Sequence, residues 1–318
     1  MPVQFGRNAF ISVAEETTYG SPSGTSSDYT DMRLISTTLQ KTIERARKTN
    51  LNQGSAGFVR STFDGFNVTG GNITIPLHYA GNGHILKAAL GSVATTGSGP
   101  YTHKFLPDAT PQPITIRLNR GAAQSGAASQ EEFKGCVVST CTISCAAGEE
   151  AVLSAEIISQ DVSARSSSGS ATFPASATSI LHHQAGSLTY NSNAIKLRSF
   201  ELVIDNKLER RNFLGQQITE EPTISDAREI RLTASADLED NNYYNDYITT
   251  PTAVASNVTL GFTSGTNQFN FTLFNCILEE YSDNITTFGR IERTFTFLAT
   301  VNGSDEGMNI DMINDNAA

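Results

Sequence analysis

The chain says much the same thing twice. Residues 36–45 (STTLQKTIER) read like residues 199–210 (SFELVIDNKLER), and residues 133–139 (FKGCVVS) read like 274–280 (FNCILEE), in the same order along each half. Such a repeat constrains the fold more than any composition does, because each copy must be one folding unit. A duplicated, strand-rich unit without recognisable chemistry points to a building block whose surfaces pack against its own copies, rather than to an enzyme with one special cleft. The 318 residues leave room for two domains of ordinary size.

Only 17% of residues are charged and 38% are hydrophobic, with Ser, Thr, Asn and Gly filling the gap. That balance fits folded sheets with long polar loops rather than disorder. Lys and Arg number 22 against 32 Asp and Glu, a net charge of −10, so a tight grip on DNA or anionic lipid through a global positive field is excluded. No apolar run reaches the length of a spanning helix, and the opening MPVQFGRNAF lacks the pattern of a signal peptide, so a soluble intracellular product and no membrane partner are expected. Asn-x-Ser/Thr triplets at Asn67, Asn72, Asn257, Asn270, Asn284 and Asn302 then reflect Asn- and Thr-rich strands, not glycosylation. Cys136, Cys141, Cys145 and Cys276 lack metal or redox spacing and are expected as small buried hydrophobes.

Alternation of apolar and polar residues predicts a mainly β chain. A half-buried strand is expected over 32–45, with Ile35, Leu39 and Ile43 on one face, then a long loop over 45–67 and a strand over 68–79. Asn82 is expected to cap a short helix carrying Ile85, Leu86, Ala89 and Leu90, closed by Gly91. Two strong strands, 136–146 and 151–160, should form a hairpin at Ala147-Gly148. The second half replays this plan: a strand over 197–208, a long loop over 209–228, a strand over 229–236, a helix opened by Asp237 or Asp240, and closing strands to Val301. The Ser/Ala/Gly run marks a boundary, which divides the chain into a first unit with an N-terminal arm (1–165), a linker (166–179), a second unit (180–302) and a polar tail (303–318).

Catalytic chemistry finds no foothold in this pattern. His78, His84, His103, His182 and His183 lack the helix spacing of a zinc hydrolase, and Gly81-Asn82-Gly83 lacks the spacing and the Lys of a phosphate loop. The adjacent carboxylates Glu149-Glu150 and Glu279-Glu280 would point to opposite faces of a strand, unlike a glycosidase pair. No catalytic, metal or cofactor-binding residue is therefore assigned, and no cofactor is expected. What recurs is a strand face of Thr, Ser, Gln, Glu and Asp nearly free of Lys and Arg, a pattern that any half-exposed antiparallel sheet can also show.

The stretches 10–24 (FISVAEETTYGSPSG), 73–92 (ITIPLHYAGNGHILKAALGS), 101–107 (YTHKFLP) and 133–159 resemble the tail tube proteins of long-tailed, non-contractile bacteriophages. The resemblance covers nearly the whole chain; the clustered cysteines depart from it. It implies tandem tail-tube-type β-sandwich units, each with a short helix, whose sheets join edge to edge into a ring-shaped β-barrel. Stacked rings would form the conduit for DNA ejection. A duplicated member implies a trimer ring rather than a hexamer, with a tape-measure protein, a tail terminator and distal tail or baseplate proteins as partners and duplex DNA as transient cargo. The expected location is the virion tail, after synthesis in the bacterial cytoplasm. Candidates for the lumen are Thr38, Gln40, Glu44, Thr140, Thr142, Glu156, Glu201, Asp205, Glu292, Thr294 and Thr296; candidates for contacts between rings are Arg45, Arg47, Lys48, Arg210 and Arg211. Competing readings are a capsid decoration protein and a secreted carbohydrate-binding or adhesin sandwich, the latter disfavoured by the absence of Trp.

Overall fold

The computed structural model describes residues 6–48, 61–121, 128–167, 170–174, 180–190, 193–239, 242–249, 256–285, 288–301 and 307–315. The first half gives β1 (Phe10–Glu15), β2 (Thr30–Arg33), β3 (Ser36–Thr37), β4 (Gln40–Lys48), β5 (Ser61–Pro76), α1 (Gly83–Leu90), β6 (Gly91–Gly97), β7 (Tyr101–Pro107), β8 (Ile114–Asn119), β9 (Ala128–Ala146), β10 (Val152–Ser159), β11 (Asp161–Val162) and β12 (Ser166–Ser167). The second gives β13 (Gly186–Tyr190), β14 (Asn193–Ile195), β15 (Leu197–Asp205), β16 (Leu208–Arg211), β17 (Glu220–Ile224), β18 (Glu229–Asp237), α2 (Asn242–Thr249), β19 (Ser256–Ser264), β20 (Asn267–Ser282), β21 (Glu292–Leu298) and β22 (Met308–Asn314). The protein is mainly β, as the alternation predicts.

Side-chain period two builds the sheets. In β18, Ile230, Leu232, Ala234 and Ala236 are buried while the residues between them stay part-exposed, and Phe200, Leu202 and Ile204 do the same in β15. These strands lie in one long antiparallel sheet whose order is β4, β5, β10, β9, β15, β18, β21, β20, with β3 beside β4 along the same margin of β5. The order runs first, second, fourth, third in each half, and the halves meet where β9 pairs with β15.

A second layer covers the apolar face. Its first part pairs β2 with β1, β1 with β8, β8 with the early part of β9, and that part of β9 with β11 and β12. The other part pairs β14 with β13, β13 with β19, β19 with the early part of β20, and β20 with β22. The β6–β7 hairpin joins this part through β7 and β22. Between the layers Ile73, Ile143, Leu153, Leu202, Leu232 and Phe297 meet Ile11, Val13, Ile116, Phe262 and Phe271 in a continuous core. Full burial of each such side chain stabilises by about 1.5–3 kcal/mol.

Several sequence expectations need correction. Residues 308–314 are not a polar tail but β22, whose Met308, Ile310 and Met312 are buried. Within the expected loop over 45–67, residues 45–48 and 61–67 belong to the paired strands β4 and β5, residues 49–60 lying outside the described set. Likewise, the 209–228 loop carries the β16–β17 ribbon. Of Ile35, Leu39 and Ile43 only Leu39 is buried; Ile35 and Ile43 are exposed. Asn82 precedes α1 but makes no side-chain cap; its amide donates weakly to the Pro76 carbonyl. The β9–β10 hairpin forms as expected, with Gly148 supplying the positive φ of its turn. The second helix starts at Asn242, and Asp240 lies outside the described residues.

Candidate functional site

The outer face of the long sheet gathers polar residues from both halves. Directly paired residues on neighbouring antiparallel strands share a face, so the ladders can be followed across the sheet. One row runs Asn72, Glu156, Thr140, Asp205, Glu229; the next Thr74, Ser154, Thr142, Val203, Arg231, Leu298, Ile277; a third Val152, Ser144, Glu201, Thr233, Thr296, Glu280. Ser199, Ser235, Thr294 and Ser282 continue the pattern, and Asp237 pairs with Glu292.

Eight of the residues singled out from sequence therefore lie on this face: Thr140, Thr142, Glu156, Glu201, Asp205, Glu292, Thr294 and Thr296. Thr38 and Gln40 stand at its first margin, where the Thr38 hydroxyl accepts from the Asn72 amide and Gln40 pairs with Gly70. Glu44 sits further out on the β4–β5 hairpin, against Gly65. Sequence reading missed Glu229, Arg231 and Asp237, although the alternation of β18 carried the signal. It also assigned no role to Glu280.

Charge on the face leans acidic. Its cations are matched: Arg231 pairs with Glu229 and Glu279, Lys207 with Asp205 and Glu229, and Arg198 with Asp237. Burial works against the Asp205 carboxylate, yet the hydrogen bonds from Lys207 hold it below its ordinary range. Glu156, Glu201 and Glu292 form no ion pair among the described residues. Glu149, Glu150, Glu201 and Glu292 with Ser144 and Ser235 line a shallow concavity of about 490 Å³ on the same face. Such a surface offers a polyanion no counterion release and therefore no adhesion.

A larger concavity of about 600 Å³ lies elsewhere, between α1, β7 and β22. Three of its titratable side chains, Glu15, His84 and Lys87, are joined to one another. Lys87 donates to Glu15 at 2.6 Å and His84 lies 3.3 Å from the same carboxylate, so the His84 hydrogen bond, followed by Lys87, holds Glu15 at about 2.

The five basic candidates divide. Arg45 is exposed, 3.4 Å from Asp64, and Arg211 reaches Glu220 at 3.7 Å across the ribbon. Arg47 and Lys48 pair through their backbones with Thr62 and Ser61, their side chains lying outside the described residues. Arg210 turns inward, donating to the Thr69 carbonyl at 2.6 Å and to that of Ser159 at 3.5 Å. It anchors the ribbon to the first half, where Asn67 also donates to the Gln217 carbonyl.

No group of three or more His, Cys, Asp or Glu fit to hold a metal ion occurs among the described residues, and no helix there is long and apolar enough to cross a membrane. The four cysteines are buried free thiols, and burial pushes those of Cys136, Cys141 and Cys276 up to about 12.

Comparison with known proteins adds one match. The family model described as "Phage tail tube protein" fits residues 6–301, nearly the whole chain. No curated protein matches it.

Proposed function

We propose that this chain, which belongs to the phage tail tube protein family, closes with two further copies into a ring, and that rings stack into the tube of a long-tailed, non-contractile phage. Membership makes it a structural component of the virion. The finer reading rests on one observation: an open sheet of eight strands that follows one order in each half and presents an acid-leaning polar face. We take the halves as tandem units, 1–165 and 180–302 joined by 166–179, and add to the second the segment beyond residue 302 that carries β22, which pairs with β20.

Geometry favours three copies. Eight strands from each of three chains make a barrel of about 24 strands; at about 4.8 Å spacing and about 40° tilt its backbone diameter is about 48 Å. After side chains that leaves roughly 35–40 Å, enough for duplex DNA of roughly 20 Å with water around it. Closure also removes the two open sheet margins, which otherwise invite uncontrolled pairing. The polar face then becomes the bore, where carboxylates repel phosphate and let DNA slide. The β4–β5 hairpin and the β16–β17 ribbon, with Arg45, Arg47, Lys48 and Arg211, are placed to meet the next ring. A tape-measure protein, a tail terminator and distal tail proteins complete the expected partners.

Negative-stain microscopy of the purified protein tests this reading. Hollow rings or filaments with a central hole are expected; a field of solid single particles at every concentration would refute it. Arg45→Glu combined with Arg211→Glu should leave rings intact and shorten or abolish filaments.

A further inference from the structure

The strands of the long sheet run between two ends, and each half sends one projection out of each end. At the first end lie the β4–β5 hairpin, whose pairing continues from Gln40 and Gly70 out to Lys48 and Ser61, and the β16–β17 ribbon, which joins Asp205 of β15 to Glu229 of β18. At the opposite end lie the β9–β10 turn, beyond the pair Ser144 and Val152, and the β20–β21 loop, beyond the pair Ser282 and Thr294. The hairpin and the turn belong to the first half, the ribbon and the loop to the second. Their chemistry divides in the same way. β4 carries Arg45, Arg47 and Lys48 along the hairpin, with Arg45 68% exposed, and the turn presents Glu149 and Glu150, both exposed. The ribbon instead ends in Phe213 and Leu214, 44 and 101% exposed, and the loop of the same half presents Ile285 and Phe288 at 76 and 113%. Arg211, beside the ribbon tip, is matched by Glu220 and lies over the Phe213 ring. The ribbon is also tied down, by Arg210 on the carbonyls of Thr69 and Ser159 and by the Asn67 amide on that of Gln217, so its tip loses little freedom on docking.

Rings stacked head to tail bring the first end of one against the opposite end of the next. Each end then alternates a charged projection with an apolar one around the ring, so a rotation by one half, about 60°, would keep the backbones in step and set Arg45 on Phe288 and Leu214 on Glu150. That arrangement strips guanidinium and carboxylate groups of water without giving them partners. Resting on the stacked-ring reading, we infer that successive rings meet half to like half. The basic hairpin of one copy lies on the Glu149-Glu150 turn of a copy in the next ring, and the Phe213-Leu214 tip packs on Ile285 and Phe288. Rotation between rings is thereby restricted to threefold steps. The two halves are then not interchangeable: the first supplies ion pairs, which steer and select, and the second supplies apolar contact, which salt does not screen.

Matched and crossed cysteine pairs test this on filaments of the full chain. Leu214→Cys with Phe288→Cys, treated with a short bis-maleimide, should give covalent ladders longer than trimers on denaturing gels, whereas Leu214→Cys with Glu150→Cys should leave single chains. Leu214 lies at one end of the sheet and Phe288 and Glu150 at the other, so a ladder reports contact between rings and not within one. Each single variant and the parent, whose thiols are buried, serve as controls. Filaments in which the crossed pair links as well as the matched pair, or in which neither links, would overturn the register and leave the tube standing. A parent that forms no filaments would overturn both. Should the cysteine variants fail to assemble, charge reversal supplies the second arm: Glu149→Lys with Glu150→Lys should keep rings and abolish filaments, and adding Arg45→Glu with Arg47→Glu should restore them. Normal filaments from the first of these variants, or rings that stay unstacked in the second, would count against the pairing.

Discussion

α1 and α2 are eight-residue helices that follow corresponding strands of the long sheet, β5 and β18, yet they live in different surroundings. At the third, sixth and seventh positions α1 carries Ile85, Ala88 and Ala89, all at most 1% exposed, where α2 carries Tyr244, Tyr247 and Ile248 at 43, 41 and 53%. The rest of the chain finishes α1: β7, β8 and β9 pack around it and Asn206 satisfies its last turn. On α2 only Tyr243 is buried among the described side chains, held by the rings of Tyr190 and Phe295. The difference teaches that helix pattern follows what lies outside the helix. Tyr244, Tyr247 and Ile248 leave an exposed apolar patch on α2 where α1 has none.

Substitutions can break this comparison, and the deepest should cost most. Leu86→Ala removes a fully buried side chain of α1 and should lower the stability of the free chain by about 2–5 kcal/mol in denaturant titration. A loss under about 1 kcal/mol would mean that α1 is no better packed than α2. Asn206→Ala strips two buried carbonyls of their donor, for an expected loss of about 1–3 kcal/mol.

Glu15→Gln probes the charged edge of α1. The folded carboxyl is depressed from 4.5 to about 2, so its contribution is present above about 4.5 and is lost as pH falls through about 2. Because the side chain is 35% exposed, solvent screening cuts the full linkage value to about 1 kcal/mol. The gap between parent and variant should be open at pH 7 and close towards pH 2. Smallest of all, Tyr244→Ser should change the stability of the free chain by less than about 0.5 kcal/mol, and only assembly should register it.

Much of this fold could be read from alternation within single strands. β15, β18 and β10 announce their faces in eight or nine residues. Pairings across long sequence distances left weaker traces. β22 has Met308, Ile310 and Met312 at period two, but Asn309, Asp311 and the polar residues around them made it read as a tail. Arg231 sits amid acidic groups because Glu279 arrives from β20, a neighbour that the sequence of β18 does not mention. Arg210 read as a surface charge for the same reason: its acceptors, Thr69 and Ser159, lie in the other half.

The pairing of β22 with β7 has a consequence for synthesis. Phe105 finds its partner Ile310 roughly 200 residues later, so at about 5–20 residues per second the ribosome leaves that side of β7 bare for about 10–40 s. A nascent chain in this interval carries an unsealed strand edge, and many such chains crowd one cell during infection. Premature termination before Met308 would make the condition permanent, turning each truncated product into a nucleus for aggregation.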